Sequence, residues 1–157
     1  MKFAANSSVL IFLAKLDVLH LLEGFELFIP DAVKNELLAK ESVEKDRLEK
    51  FLKQKTIKII KIKKLRQFSA ILGKGEMAVL NIAVEKKISD VLLDDRRARS
   101  LAKLHGLTPR GTIWVILNAF KNGVIDKKET KSLIYNLPSK GFRIDEVLFM
   151  EILKKID

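Results

Sequence analysis

The sequence contains no cysteine, which excludes a disulfide framework, a cysteine zinc site and a thiol nucleophile. It has only two histidines, too few for a histidine-rich metal site. No apolar run approaches the roughly 18 residues needed to span a membrane. The apolar start of the chain lacks a small-residue cleavage site and is interrupted by Lys15 and Asp17, so it does not predict a signal peptide. We therefore expect a cytoplasmic protein without a membrane segment.

The composition is that of a folded, basic protein. Of its 157 residues, 48% are hydrophobic and 32% are charged, which excludes a disordered chain. One domain of this length buries about 70% of the surface that its unfolded chain exposes. The 30 lysine and arginine residues outnumber the 20 acids and give a net charge of +10. This excess favours phosphate-bearing ligands.

Strand-like and helix-like segments alternate along the chain. Short apolar segments predict strands at 2–5, 25–29, 56–62 and 91–93, with a last one within 107–112. Longer segments predict helices at 9–22, 31–55, 65–72, 76–87, 96–105 and 113–121, of which 31–55 is one helix or two with a break near Ser42. Residues 126–157 predict a C-terminal extension of two amphipathic helices separated by 138–141. The alternation predicts a single α/β domain over 1–157, with a parallel sheet covered on both faces.

Two glutamates fall on helix faces that should point toward the core. At 100° per residue, Glu36 lies about 60° from Val33, inside the apolar arc of its helix. Glu76 is followed by apolar residues at i+3, i+4 and i+7, which puts it on the same stripe. Each has a structural interpretation as well: Glu36 at the edge of the stripe, reaching solvent or a lysine, and Glu76 as a favourable charge in a first helical turn. Because an unpaired buried carboxylate is costly, the alternative is a partner or a metal ion.

Three further polar residues follow predicted strands. Asn6 comes after the first strand, and Asp94 and Asp95 close the strand at 91–93. Asn6 and Asp95 could each cap the helix that follows. In an open parallel sheet, however, ligands bind at the carboxyl ends of the strands, so these side chains and the two glutamates are expected to converge there. Four converging carboxylates repel one another, and a divalent cation relieves that repulsion; oxygen ligands suit Mg²⁺ or Mn²⁺. With a basic surface, such a pocket fits nucleic-acid chemistry.

Several short motifs occur in a characteristic order. They are Asn6-Ser7-Ser8-Val9-Leu10-Ile11, Ile29-Pro30 leading into the helix with Glu36, Gly73-Lys74-Gly75-Glu76, Leu92-Leu93-Asp94-Asp95-Arg96-Arg97-Ala98-Arg99, and Gly111-Thr112. With this order and spacing, the sequence resembles the PIN-domain nucleases, and among them a subgroup of VapC-like toxins. The resemblance covers most of the chain. It implies a three-layer α/β/α sandwich around a mainly parallel sheet.

The resemblance also implies an activity. It implies an endoribonuclease that uses Mg²⁺ or Mn²⁺ to activate water for cleavage of RNA phosphodiester bonds, often as the toxin of a toxin–antitoxin pair. By resemblance, Glu36, Glu76 and Asp94 are the main acids that hold the metal, with Asp95 as an additional one. Asn6 stands where the family has its first-strand acid, so this chain offers a carbonyl oxygen but one negative charge fewer. The expected partners are RNA, an antitoxin protein and a second copy of the chain.

The remaining candidates surround these acids. Ser8 resembles the small hydroxyl residue near the metal, where it could orient Asn6 or a ligand water, or it could cap a helix. Arg96, Arg97 and Arg99 follow the aspartates and suit contacts with RNA phosphates, although at least one of them is expected to be ordinary helix surface. The series Lys58, Lys61, Lys63 and Lys64 is interpreted as solvated surface rather than as a dedicated RNA track. Because of Asn6, the alternative function is a weak or inactive PIN-like module that binds RNA or a protein partner.

Overall fold

A five-stranded parallel sheet forms the centre of the molecule. The computed structural model describes residues 1–66, 68 and 71–157. The strands are β1 (Lys2–Ala5), β2 (Glu26–Pro30), β3 (Ile57–Ile60), β4 (Asp90–Leu92) and β5 (Thr108–Arg110). Their order in the sheet is β3-β2-β1-β4-β5, and each of the four pairings is parallel. The direction in which the chain adds strands therefore reverses between β1 and β4.

Helices connect the strands and cover the sheet. They are α1 (Ser7–Lys15), α2 (Asp31–Ala39), α3 (Lys45–Leu52), α4 (Lys74–Glu85), α5 (Arg96–Leu104), α6 (Thr112–Lys121), α7 (Lys127–Asn136) and α8 (Glu146–Ile156). Two short 3₁₀ turns lie at Leu19–Leu22 and Pro138–Lys140. None of the helices in the described part of the chain is long and apolar enough to cross a membrane. The arrangement confirms the predicted three-layer α/β/α fold.

The core surrounds β1, which lies between β2 and β4. Its residues Phe3, Ala4 and Ala5 are completely buried, as expected for a parallel strand covered on both faces. The two C-terminal helices contribute to the same core, because Ile134 of α7 and Ile152 of α8 belong to the same cluster of buried side chains. Two helices were predicted here, and the structure adds that both pack into the common hydrophobic interior.

The predicted helix at 9–22 is wrong in its second half. Helix α1 ends at Lys15, Asp17 takes a left-handed conformation at φ 58°, and the chain continues into the 3₁₀ turn. Leu21 and Leu22 are nonetheless buried. An apolar pattern reports burial, and here it could not distinguish a continuous helix from a buried turn.

Other predicted boundaries need smaller corrections. The segment 31–55 forms two helices, α2 and α3, with the break that was one of the two alternatives. The predicted strand at 56–62 is shortened to β3. Of the predicted helix at 65–72, Gln67, Ser69 and Ala70 lie outside the described residues, and the described positions are not helical.

The two outer strands differ from the inner ones. Among the described strands, β3 pairs only with β2, and β5 pairs only with β4. Lys58 is exposed on β3, and Pro109 occupies the middle of β5. Because Thr108 donates its backbone N–H to Ser89 O, the nitrogen of the next residue, Pro109, faces the open side of the strand.

Candidate active site

Polar side chains gather at the carboxyl end of the sheet, where the strand order reverses. Asn6 follows β1, and Asp94 and Asp95 lie just beyond the end of β4. The Asn6 N–H donates to Leu92 O at 3.0 Å, which joins the two strand ends. Such a reversal point is where open α/β sheets bind ligands. The name acidic site is used below for Asn6, Glu36, Glu76, Asp94 and Asp95.

Asp94 is a largely buried carboxylate held by three donors. Its Oδ1 accepts from the Thr112 N–H at 2.8 Å. Its Oδ2 accepts from Thr112 Oγ1 at 2.7 Å and from Ser8 Oγ at 3.2 Å. Burial raises the pKa of the Asp94 carboxyl, while these hydrogen bonds and the nearby Arg99 charge act in the opposite direction. The protein therefore fixes the orientation of this carboxylate.

Gly111 leaves the space that this arrangement needs. A Cβ atom at Gly111 would lie 2.7 Å from Asp94 Oδ1 and 3.2 Å from Arg99 Nη1. Contacts shorter than 3.0 Å are essentially never seen for a real Cβ, so a side chain here would displace the carboxylate or its donor. The absence of a side chain at this turn lets α6 present the Thr112 N–H to Asp94.

Glu76 uses its two carboxylate oxygens differently. It lies in the first turn of α4, and its Oε1 accepts from the Gly73 N–H at 3.1 Å, which is half of a capping box. Its Oε2 is buried and has no hydrogen-bond partner among the described residues. Burial is the main cause that raises the pKa of Glu76; the Gly73 hydrogen bond opposes it, and the carboxylates of Asp95 and Glu36 add to it. The structural interpretation of Glu76 as a first-turn acid therefore accounts for only one of its oxygens.

Asn6 and Glu36 direct oxygens to the same place. A Cβ at Gly75 would lie 3.1 Å from Glu36 Oε2 and 3.2 Å from Asn6 Oδ1, so both oxygens closely approach the start of α4. Asn6 is 7% exposed and occupies the cap position of α1, but its side chain makes no capping hydrogen bond. Within the described part of the protein, its buried Oδ1 has no donor. The capping interpretation of Asn6 therefore does not explain its side chain.

Glu36 itself is exposed, although its oxygen reaches the site. Helix α2 buries Val33 and Leu37, so the centre of its buried stripe falls between them. Glu36 lies about 80° from that centre at 100° per residue. The interpretation of Glu36 as an acid at the edge of the stripe is confirmed. From that edge its carboxylate can still approach Gly75.

Asp95 and the three arginines take different positions. Asp95 caps α5, because its Oδ2 accepts from the Ala98 N–H at 3.0 Å, which confirms the capping interpretation. It also faces Glu76, whose pKa it raises. Arg96 and Arg97 are exposed on the first turn of α5. Arg99 is partly buried and donates from Nη1 to Leu93 O at 2.9 Å, so this nitrogen contacts the protein backbone beside Asp94.

The sequence motifs include Thr112 but did not indicate that it holds Asp94 most firmly. Thr112 is completely buried and provides two of the three donors to that carboxylate. Its position directly after β5, at the same sheet edge as Asn6 and Asp94, is a signal that could have identified it. The close approaches at Gly75 and Gly111 depend on packing between distant segments, which no local pattern reports.

The donor set suits a hard divalent cation. The described residues contain no group of three or more His, Cys, Asp or Glu side chains placed so that together they could hold a metal ion. Two buried oxygens, Asn6 Oδ1 and Glu76 Oε2, nevertheless lack hydrogen-bond donors, and a bound cation is one way to satisfy such oxygens. All available ligand atoms are oxygens, which Mg²⁺ and Mn²⁺ prefer. The residues therefore fit such an ion.

Comparison with known proteins agrees with this geometry. No curated protein and no solved structure matches the chain. The sequence profile described as PIN domain matches residues 2–157, almost the whole chain. The PIN domain is a nuclease module that generally works with divalent metal ions. The chain belongs to the PIN-domain family.

Proposed function

We propose that this protein is an endoribonuclease dependent on Mg²⁺ or Mn²⁺, and the VapC-like toxin of a toxin–antitoxin pair. The observation that supports the metal dependence is the pair of buried oxygens without donors, Asn6 Oδ1 and Glu76 Oε2, beside the carboxylates of Glu36 and Asp95. Leaving such oxygens unsatisfied costs about 1–3 kcal/mol each, so a fold retains them only when another interaction compensates.

The residues around the acidic site have two roles, metal binding and positioning of the metal ligands. Asp94, Glu76 and Glu36 would hold the metal ion, with the Asn6 carbonyl oxygen as a neutral ligand. When bound, the ion lowers the pKa of a ligand water and stabilises negative charge on the phosphate. Ser8 and Thr112 keep the Asp94 carboxylate in one orientation, so the site needs little rearrangement during the reaction.

The arginines have separate tasks. Arg96 and Arg97 are exposed beside Asp95 and can bind phosphates on either side of the scissile bond. Arg99 instead contacts Leu93 O, and its charge is one of the interactions that oppose the rise in the Asp94 pKa caused by burial. We propose that it supports the metal ligand and does not bind RNA.

A cleavage assay tests this proposal. Purified protein is incubated with structured RNAs in Mg²⁺ or Mn²⁺, together with the Asp94→Asn variant. Asp90→Asn is the matched control, because Asp90 opens β4, the strand that Asp94 follows, but forms an ion pair with Arg110 and is not part of the acidic site. We expect cleavage by the wild type and by Asp90→Asn, and a loss of at least about a hundredfold in Asp94→Asn. Equal cleavage by all three proteins contradicts the proposal.

Asn6 supports a second candidate function, a module that binds RNA or a protein partner without cleaving. A neutral amide in place of a carboxylate weakens the attraction for a cation. The two candidates differ in what Asn6→Asp does. For a nuclease the substitution should tighten Mn²⁺ binding and raise cleavage, since a fifth charge joins the site. An inactive module should gain no cleavage from it, and an Mn²⁺ soak should give no anomalous peak near Glu36, Glu76 and Asp94.

The partners belong to the same proposal. An uncontrolled ribonuclease would damage its host, so we propose a cytoplasmic antitoxin whose peptide covers the acidic site and inserts an arginine among the carboxylates. We also propose that the protein forms a homodimer. Affinity purification from the native host should recover a small partner protein, and sedimentation of the pure protein should give twice the monomer mass. Recovery of the chain alone, as a monomer, contradicts both expectations.

A further inference from the structure

The positive charge of this protein is concentrated in one segment. Residues 50–75 contain nine lysines and arginines and no acid. The rest of the chain has 21 basic and 20 acidic residues and is therefore nearly neutral. The segment is responsible for almost the entire net charge of +10. A surface that is uniformly basic would not have this distribution.

All nine cations of this segment are exposed. They are Lys50, Lys53, Lys55, Lys58, Lys61, Lys63, Lys64, Arg66 and Lys74. Within the described residues, none of them forms an ion pair with a carboxylate. Outside the segment a few lysines do form ion pairs; Lys127 and Lys131, for example, both contact Asp157. Exposure agrees with the interpretation of these lysines as solvated surface, and the absence of any acid from 50–75 leaves their charge available to an anionic ligand.

The segment leads toward the acidic site. Four of its cations, Lys61, Lys63, Lys64 and Arg66, follow the carboxyl end of β3 and are called the basic track below. Because the strands are parallel, this end of β3 lies at the same edge of the sheet as Asn6 and Asp94. Lys74, in the first turn of α4, is only two residues from Glu76.

A buried amide fixes the far end of the track. Asn81 of α4 is 7% exposed and accepts from the Arg66 N–H at 2.7 Å through Oδ1. Its Nδ2 donates to Arg66 O and to Met77 O at 2.7 and 2.8 Å. Glu76 lies five residues earlier on the same helix, or about 7.5 Å along its axis. One rigid helix therefore positions both the backbone of Arg66 and a carboxylate of the acidic site.

We propose that the basic track binds the phosphates of a single RNA strand and leads that strand to the acidic site. The inference rests on the proposed function for the identity of the ligand, since a site for phosphodiester cleavage adjoins the track. Lysine and arginine side chains bind the backbone of any sequence, and each contact displaces counterions. The Arg66 guanidinium lies 5.8 Å from the centre of the Phe68 ring, a partly buried ring that also packs against His105, so this end of the track is held against the protein.

Binding without cleavage tests the proposal separately from catalysis. The affinity of a fluorescent single-stranded RNA is measured by anisotropy in EDTA at several salt concentrations. The track variant carries Lys61→Gln, Lys63→Gln, Lys64→Gln and Arg66→Gln. The control variant carries Lys103→Gln, Lys121→Gln, Lys128→Gln and Lys155→Gln, which are also exposed and cause the same change in net charge. Thermal melts verify that both variants fold.

We expect the track variant to lose roughly tenfold or more in affinity. The slope of log affinity against log salt should shrink by about 3, because each phosphate contact on a single strand contributes about 0.7. The control variant should change less than about threefold, and Lys→Arg replacements at the three track lysines should keep wild-type affinity.

Three results would overturn the inference. They are equal losses in the track and control variants, no RNA binding by the wild type, and a track variant that has lost binding to phosphatidylserine vesicles while its RNA affinity is unchanged. A wild type that binds RNA through the track but never cleaves it leaves the inference standing and removes the proposed nuclease activity.

Discussion

The two halves of the acidic site differ in how well the protein satisfies its own oxygens. On one side, Asp94 accepts hydrogen bonds from Thr112 and Ser8 with both of its oxygens. On the other side, Asn6 and Glu76 each keep a buried oxygen without a donor in the described part of the molecule. The first half is complete within the protein itself. The second half is incomplete: its buried oxygens lack donors, which destabilises the fold, and a bound cation would compensate for that loss of stability.

The largest expected effect comes from a substitution at Gly111, which would disturb the hydrogen-bonded half of the site around Asp94. A Gly111→Ala substitution should destabilise the fold by about 3 kcal/mol and abolish cleavage, because the new Cβ would overlap Asp94 Oδ1. The matched control is Gly75→Ala, whose new Cβ would lie 3.1 Å from Glu36 Oε2, the end of a flexible side chain, and 3.2 Å from Asn6 Oδ1, in both cases further than the 2.7 Å at Gly111. That variant should fold almost as stably as the wild type and bind Mn²⁺ more weakly. Urea unfolding measures the stability of both variants. Equal losses of stability in Gly111→Ala and Gly75→Ala would contradict the difference between the two halves of the site.

Addition of a metal ion should stabilise the half of the site in which Asn6 and Glu76 lack donors. At an Mn²⁺ concentration of one hundred times Kd, binding stabilises the folded protein by about 2.7 kcal/mol. For a domain of this size the melting temperature should rise by about 5–10 °C, and EDTA should reverse the rise. Glu76→Gln should lose most of this shift, and Asp90→Asn should keep it. A shift that survives Glu76→Gln would mean that the ion binds elsewhere.

Removing one donor to Asp94 should have a smaller effect. Thr112→Val keeps the backbone N–H but removes the hydroxyl that donates to Oδ2. The expected loss is about 1–2 kcal/mol of stability, because a buried carboxylate oxygen then has only Ser8 as a donor. Thr112→Ser restores the hydroxyl and should recover most of the stability and the cleavage rate. If valine and serine behave alike, the hydroxyl does not orient Asp94.

The smallest effect concerns pH in the absence of metal. Folding raises the pKa of Glu76 and Asp94, so the folded state binds protons more tightly than the unfolded chain. Their contribution to stability is full below the ordinary pKa of these acids and is lost as the pH rises through the raised values. Glu76→Gln should therefore stabilise the metal-free protein at pH 7, by about 0.5–1 kcal/mol because the group is partly solvated. Urea unfolding at pH 4 and pH 7 in EDTA should show the gain only at the higher pH.

Much of this architecture follows from the sequence, because strands alternating with helices allow few arrangements. The positions of Asn6 and Asp94 at strand ends were enough to predict that they share one edge of the sheet. The path of 9–22 was not predictable, since a buried turn and a buried helix have similar apolar patterns. The role of Thr112 was predictable only in part: its place directly after β5 puts it at the same edge of the sheet as Asp94, but no local pattern gives its two hydrogen bonds to that carboxylate. The orientation of Glu36 depends on how α2 packs, which the helical period alone leaves open.

The outer strands of the sheet limit how copies of this chain can associate. β5 has Pro109 at its centre, with no N–H to offer on the open side, and β3 has the exposed Lys58 at its open edge. Both are devices by which natural sheets resist edge-to-edge pairing and the fibrous aggregation that follows from it. Any dimer of this protein should therefore form through its helices, and its sheet should end at five strands in each subunit.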